Sequence, residues 1–375
     1  MIVAGIFLLL VYSAILLWHR LGDYKVKTLF YRNAEYTVQF SIVVAFRNEE
    51  NNLPILLQSL LNLDYPSDRF ELLLVDDDST DNSRQIIKQT LQKKDINWQI
   101  ITPERISNSP KKDAVTTGVK QAKFDWIVTT DADCKVPVNW LVGFSHKVST
   151  VQPLMICGQV FVEESKDFFS EYQKFEMLAL QGITKGSFGW NRPMLCNGAN
   201  FAYSRDAFLE VNGFEGNNNM ASGDDVFLMQ KFRESFNGQV FFLKDPEHTV
   251  ITTPVKGFGN MLAQRIRWAA KTTKMKGKQI KWTGLFILLM NLWLIVGLVY
   301  FPLFNREFIL EYLLFWFIKL VFDDWFATDS AESLRPGISR KRVFLVGLVY
   351  PFISSYIAVR SLFGGYRWKG RDFKR

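Results

Sequence analysis

The sequence predicts an α/β domain held between apolar segments long enough to cross a membrane. Three observations carry that expectation. Between about residues 39 and 130, short apolar strands alternate with amphipathic helical stretches, the pattern of a parallel sheet with helices on both faces. Two acidic clusters, at 76–81 and 131–133, each follow directly on one of those strands. Apolar runs without a soluble-helix pattern are concentrated at the two ends of the chain.

Composition bounds the rest. The 375 residues are 48% hydrophobic and 15% aromatic, enough for a large core and far from a disordered chain. Cys134, Cys157 and Cys196 are an odd number at wide spacing with no CxxC pair. That argues against a disulfide framework and a zinc ribbon and fits a reducing compartment. His19, His146 and His248 are too scattered for an obvious metal cluster. Neither GxGxxG nor GxxxxGK[ST] occurs, which disfavours dinucleotide and P-loop binding.

Taken in order, residues 1–18 carry no charge and are long enough for a hydrocarbon core of about 30 Å. Basic residues follow the run (Arg20, Lys25, Lys27, Arg32) rather than precede it, so a retained anchor with a cytoplasmic C-terminal flank is expected over a cleaved signal. Residues 39–47 read as a buried strand and 49–61 as a helix with Leu53, Leu56, Leu57, Leu60 and Leu61 on one face. Pro66 marks a turn, 70–75 a second strand and 83–92 a second helix. Residues 98–101 make a third strand, 110–122 a helix and 124–130 a fourth strand. Further on, 155–162 reads as a strand, 167–183 as an amphipathic helix, 197–204 as strand or loop and 225–236 as a helix.

Three apolar stretches close the chain. Residues 284–303 make a good span; 308–322 is short and carries Glu311 and Lys319; 343–359 carries Pro351. Basic clusters flank them at Lys271, Lys274, Lys276, Lys278 and Lys281, at Arg335, Arg340, Lys341 and Arg342, and at Arg360, Arg367, Lys369, Arg371, Lys374 and Arg375. All three flanks ask to be cytoplasmic, which three full spans do not allow; 308–322 is the first suspect for an interfacial or re-entrant segment. The formal net charge of +8 has a source beside these spans, where Lys and Arg attract anionic headgroups. A nucleic-acid partner is not expected. The layout is therefore an anchor at 1–19, a domain at 38–255, an amphipathic segment at 256–282, membrane segments over 284–360 and a basic tail at 361–375.

Ligands in open α/β sheets bind beyond the carboxyl ends of the strands, where both acidic clusters lie. Alternate carboxylates at Asp131 and Asp133 suit a hard cation, Mg²⁺ or Mn²⁺, held together with substrate phosphates; the plainer reading is a solvated turn. Asp76, Asp77 and Asp78 repel one another unless donors compensate, and one of them can accept from a base N–H. Ser79 or Asp81 can equally cap the next helix. Gly223-Asp224-Asp225 opens a helix after a Gly- and Asn-rich loop. Here the choice is between capping and a general base, since one carboxylate beside another is pushed toward a base's pKa. In Gln264-Arg265-Ile266-Arg267-Trp268, residues Gln264, Arg267 and Trp268 share a helix face, while Phe258, Leu262, Ile266 and Ala269 form an apolar one. An amide, a guanidinium and an indole can hold diphosphate oxygens and stack on a sugar; an interfacial tryptophan with snorkelling arginines is the plainer reading.

VDDDSTD at 75–81, DAD at 131–133, GDD at 223–225 and QRIRW at 264–268 together resemble a membrane-bound family-2 glycosyltransferase with the QxxRW motif of processive enzymes. The resemblance covers about residues 39–270. It implies a GT-A fold, the Rossmann-like architecture of nucleotide-diphospho-sugar transferases. It implies that Asp76 or Asp77 contacts the nucleotide base, that Asp131 and Asp133 hold Mg²⁺ or Mn²⁺ on the donor diphosphate, and that Asp225 is the catalytic base. It places Arg47, Glu49 and Lys111 in the nucleotide site and Gln264, Arg267 and Trp268 in the diphosphate and acceptor region. Ala45 stands where the family often has proline, and Asp224 where it more usually has glutamate, which bears on the acceptor pocket.

The resulting expectation is an inverting transfer of a sugar from a UDP- or GDP-linked donor to a membrane lipid or lipid-linked acceptor, at the cytoplasmic face of the inner membrane. The alternatives are a processive polysaccharide synthase coupled to export and, from another class, an inactive membrane scaffold that keeps the nucleotide-sugar fold.

Overall fold

The computed structural model describes residues 1–29, 36–163, 165, 167–216, 223–272, 275–334, 343–363, 366–368 and 371–373. Several basic flanks named above (Arg32, Lys274, Arg335, Arg340, Lys341, Arg342, Lys369, Lys374, Arg375) and part of the Gly- and Asn-rich loop, 217–222, lie outside the described residues. The elements are α1 (Ile2–Lys25), β1 (Phe40–Phe46), α2 (Leu53–Leu61), β2 (Phe70–Asp76), α3 (Ser83–Leu91), β3 (Asn97–Ile101), α4 (Pro110–Gln121), β4 (Trp126–Thr129), β5 (Cys134–Lys135) and α5 (Trp140–Val151). There follow β6 (Met155–Gly158), β7 (Val160–Val162), α6 (Phe168–Gly189), β8 (Phe201–Ser204), α7 (Arg205–Glu210), α8 (Asp224–Ser235), β9 (Val240–Leu243) and β10 (Val250–Thr252). The chain closes with α9 (Phe258–Thr272), α10 (Lys278–Phe304), α11 (Ile309–Glu332), α12 (Val343–Leu362), β11 (Tyr366–Trp368) and β12 (Arg371–Phe373).

Contacts divide the chain into two compact units. The first comprises Lys27–Glu163 and Leu195–Thr253. Its main sheet has seven strands in the order β3-β2-β1-β4-β8-β6-β9, and a small sheet has the order β5-β10-β7. Every residue of β2 is buried, and every residue of β1 except Ala45 is buried, as expected of central strands covered on both faces. β1 pairs in parallel with β2 on one side and β4 on the other, so their carboxyl ends share one edge. The charged Glu71 inside β2 is satisfied: it accepts from the Ser41 hydroxyl (2.6 Å) and the Lys123 N–H (2.7 Å).

Three details depart from the sequence reading. The main sheet is mixed, because β8 runs antiparallel to both β4 and β6; an apolar run has the same period in either direction, so its sequence does not reveal orientation. The single strand read over 155–162 is two strands in different sheets. The break falls at the buried Gln159, whose carbonyl accepts from Asn200 Nδ2 (2.7 Å) and the Val250 N–H (3.0 Å). The helix read over 49–61 starts at Leu53. Asn48 adopts φ 52°, and the Glu49 and Glu50 N–H groups go instead to Ser83 Oγ (2.9 Å) and Asp81 Oδ2 (3.0 Å).

The second unit comprises Met1–Val26, Glu164–Met194 and Pro254–Arg375, and so holds α1, α6, α9 to α12 and the β11–β12 hairpin. α1 and α6 approach at glycines: a Cβ on Gly189 would lie 1.8 Å from the Gly22 carbonyl oxygen, and one on Gly186 2.2 Å from the His19 carbonyl oxygen. Among the described residues, three helical stretches are long and apolar enough to cross a membrane: Ile2–Lys25, Lys278–Phe304 and Leu345–Leu362. α11, the suspect segment, is inverted relative to a soluble helix. Leu310, Leu313, Leu314, Phe317 and Val321 are exposed, while Lys319 and Asp323 are buried against each other at 2.5 Å.

Candidate active site

The first acidic cluster is built by two interlocked turns at the carboxyl ends of β1 and β2. The Asn48 side chain accepts from the Thr80 N–H (2.8 Å), and Ser79 Oγ accepts from the Asn48 N–H (3.1 Å). Asp76 is buried; it accepts from the Ser79 N–H (2.9 Å) and pairs with Arg84 at 2.7 Å. Arg47 donates to the Asp77 carbonyl (2.8 Å). Arg105 donates to the carboxylates of Asp77 and, at 2.7 Å, Asp78. Burial opposes the Arg105 charge, but these two carboxylates outweigh it and hold its pKa above the ordinary value. Asp81 does the capping work, its carboxylate accepting from the Ser83 N–H at 3.0 Å. The Glu49 carboxylate is turned to Asn52 Nδ2 (2.7 Å). Arg47, Glu49, Asp76 and Asp77 thus belong to one rigid turn pair.

The second cluster brings together residues far apart in sequence. Lys111, in the first turn of α4, donates to Asp131 Oδ1 at 2.8 Å and pairs with Asp224 Oδ2 at 3.1 Å. Burial would lower the Lys111 pKa, but Asp131 and Asp224 outweigh it and raise it, so the ammonium stays charged. Asp225 stands next to this pair at the start of α8; its carboxylate accepts from the Val226 N–H (2.7 Å) and the Gly198 N–H (3.3 Å). Lys111, Asp131, Asp224 and Asp225 line one pocket of about 350 Å³, counting the space at its open mouth, together with residues at the ends of β1, β4 and β8. Asp133 lies in the turn that leads into β5, where its carbonyl accepts from the Thr253 N–H (3.3 Å).

The donor set fits a hard divalent ion. Asp131 and Asp133 supply two carboxylates at a strand end, and no group of three acidic, histidine or cysteine side chains forms a ready-made cage among the described residues. One or two carboxylates completed by substrate phosphates is how Mg²⁺ is usually held. Cys134 is not a competing thiolate: burial first, then the charges of Asp133 and Asp131, push its thiol pKa well up.

Gln264, Arg267 and Trp268 lie on α9, in the helical unit. The side chain of greatest consequence there is the intervening Arg265. It is buried, donates to Glu176 Oε2 (2.6 Å), Gln173 Oε1 (3.3 Å) and the Gln264 side chain, and lies 4.7 Å from the Trp268 ring. Gln264 and Trp268 are therefore ordered around Arg265. The buried side of α9 is formed by Met261 and Arg265, whereas Phe258, from the expected apolar face, is exposed.

Sequence reasoning missed Arg84, Arg105, Arg265 and Glu176, which carry no motif; only the need to neutralise three adjacent aspartates signals that cations such as Arg105 must exist.

The Glycosyl transferase family 2 model matches residues 41–211. A Bacillus subtilis protein, "Probable glycosyltransferase YdaM", is 24% identical over 188 residues, 49% of this chain and 44% of its own. The "Beta-monoglucosyldiacylglycerol synthase" of Synechocystis is 33% identical over 103 residues, 28% of this chain and 21% of its own. The chain thus spans less than half the length of either relative. The solved mannosyltransferase PcManGT from Pyrobaculum calidifontis, in complex with GDP-Man and Mn²⁺, superposes with a TM-score of 0.57 at 16% identity, covering 96% of this chain and 99% of that one. The matched segment is similar to family-2 glycosyltransferase domains, and the mixed α/β sheet has the GT-A fold.

Proposed function

We propose that the chain transfers a sugar, with inversion at the anomeric carbon, from a UDP- or GDP-linked donor to a membrane lipid or lipid-linked acceptor. The observation that carries this reading is the single pocket shared by Lys111, Asp131, Asp224 and Asp225 at the carboxyl edge of the sheet. Asp77 or Asp76 receives the base, with Arg47 and Glu49 shaping the nucleotide turn. Asp131 and Asp133 hold Mg²⁺ or Mn²⁺, which when bound supplies positive charge to the donor diphosphate. Lys111 adds a fixed ammonium beside the same oxygens. Asp225 takes the proton of the acceptor hydroxyl as that oxygen attacks the anomeric carbon; the bond to the diphosphate breaks on the opposite face, and the nucleoside diphosphate leaves. Electrostatic stabilisation of that leaving charge typically contributes about 3 kcal/mol per well-placed donor. Gln264, Arg267 and Trp268 serve the diphosphate and acceptor side, and Asp224 shapes the acceptor pocket.

A lipid acceptor is favoured over a growing polysaccharide because the three candidate spans found among the described residues are few for an export channel. The three candidate spans and their basic flanks fit a multi-pass protein of the inner membrane with the domain 38–255 on the cytoplasmic side. The test is release of nucleoside diphosphate from UDP- and GDP-sugars in the presence of extracted membrane lipid, with and without Mn²⁺. The expected result is lipid-dependent release with one sugar added per lipid, abolished by a chelator and by Asp131→Asn or Asp133→Asn. Long polymeric product points to the synthase instead. No release from any donor leaves the inactive scaffold.

A further inference from the structure

In the helical unit, α6 meets α9 and the segment leading into it along a single face. Phe169, Gln173 and Glu176 stand at i, i+4 and i+7 of α6 and share that face. The Phe169 ring lies against Phe258, with centroids 5.0 Å apart. The Gln173 amide is used at both ends. Its nitrogen donates to the Val255 carbonyl (3.0 Å), and its oxygen accepts from the Val255 N–H (2.9 Å) and from Arg265 (3.3 Å). Glu176 Oε2 accepts from Arg265 Nε at 2.6 Å. The side chains of this pair are 3% and 14% exposed for Arg265 and Glu176. The guanidinium is thus gripped by two side chains of another helix, and its carbon lies 4.7 Å from the centre of the Trp268 ring, three residues along α9. A buried ion pair adds little net stability, because desolvation offsets the attraction. What this pair adds is orientation: a planar guanidinium, anchored on α6, lies against an aromatic ring of α9.

We propose that Glu176 is a positioning residue for sugar transfer, acting through Arg265 to fix the plane of the Trp268 ring on the acceptor side. The proposal rests on the sugar-transfer reading above, in which Trp268 serves that side, and adds to it a residue that lies 89 positions before Arg265 and in no motif. An indole stacks on a sugar or a flat apolar chain only through its face, so its orientation decides whether it serves. Trp268 is half-buried, which leaves part of the ring open. A tryptophan on a helix has several rotamers, and the anchored guanidinium selects among them. A lysine at 265 keeps a charge for Glu176 but has neither the plane nor the fork of donors that reaches Gln173 and Gln264 together. The Gln173 amide holds the other end of the arrangement, because it ties α6 to the backbone just before α9 begins.

The experiment uses the full chain in detergent, labelled with 5-fluorotryptophan. Donors are UDP-glucose, UDP-N-acetylglucosamine and GDP-mannose, and the acceptor is extracted membrane lipid. Fluorine NMR identifies the Trp268 signal as the one missing in Trp268→Phe. Two variants remove the guanidinium by different routes. Arg265→Lys keeps a cation beside Glu176. Glu176→Leu/Arg265→Met replaces the pair with apolar groups of similar size, an exchange that is often neutral or stabilising, so its melting temperature should stay close to the wild-type value. In both variants the Trp268 signal is expected to shift or broaden, and kcat/KM for the lipid to fall at least about tenfold. Kd for the nucleoside diphosphate alone should stay close to the wild-type value, because the donor carboxylates and Lys111 are untouched. A wild-type Trp268 signal or a wild-type kcat/KM in either folded variant overturns the proposal, and the pair then only packs α6 against α9. A rise in the nucleoside diphosphate Kd that matches the loss of transfer overturns it too, since the pair would then serve the donor. Each of these outcomes leaves sugar transfer standing. A wild type that transfers sugar from none of the donors overturns both readings at once.

Discussion

Lys111 is the residue on which the second acidic cluster depends. Without it, Asp131 and Asp224 face each other with Asp225 beside them and no ammonium between. Lys111→Met is expected to cost about 1.5–3 kcal/mol, the range for hydrogen bonds to charged groups. The pH dependence has a definite sign. The Lys111 pKa is raised in the folded state, so its contribution is fully present below the ordinary lysine value of 10.5 and is lost as pH rises beyond it. The stability difference between wild type and variant, followed by thermal melting, should stay constant from about pH 6 to 9 and shrink only in strong alkali. A difference that disappears by pH 8 would show that the ammonium is not held by these carboxylates. Arg105 plays the equivalent part for Asp77 and Asp78.

At the scale of elements, α4 carries Lys111 to the site by lying close on β1 and β2. Gly118 permits that approach, since a Cβ there would meet Val43 Cγ1 at 2.5 Å and Val75 Cγ2 at 3.3 Å. Gly118→Val should lift the helix and cost about 1–3 kcal/mol, as overpacking usually does, with a lowered melting temperature as the readout; an unchanged midpoint would mean the contact yields freely. Elements of this kind were legible in the sequence where one physical signal dominated. β1 and β2 were legible because strands buried on both faces are continuously apolar, and α3 because its apolar positions follow the helical period. The reversal of β8 was not, since alternation is blind to direction. Nor was the switch between β6 and β7, which depends on the Gln159 carbonyl meeting Asn200 and Val250 from distant segments. In the site, the acidic residues were legible from their place after strands. The cations that neutralise them were not, because tertiary proximity alone assigns their roles.

At the scale of the whole chain, the apolar ends are part of a packed unit as well as membrane candidates. Lys185 of α6 is fully buried; it pairs with Asp23 of α1 at 3.4 Å and donates to the Ser330 carbonyl at 2.9 Å. Removal of α1 takes the Asp23 carboxylate away from Lys185 and uncovers the glycine face of α6. Deletion of residues 1–25 is therefore expected to give aggregated protein and not a soluble catalytic fragment, as judged by size-exclusion chromatography in detergent. A monodisperse, folded product of that deletion would reduce α1 to a simple tether.

The measurement closest to the heart of the account compares donor binding with sugar transfer in Asp225→Asn. The substitution keeps the shape of the side chain and its place beside Gly198, but removes its ability to take a proton. Calorimetry should give a donor Kd within a few-fold of the wild type, while transfer falls by at least about a hundredfold, the usual worth of a general base. Transfer at the wild-type rate in this variant would contradict the account and move the proton acceptor elsewhere.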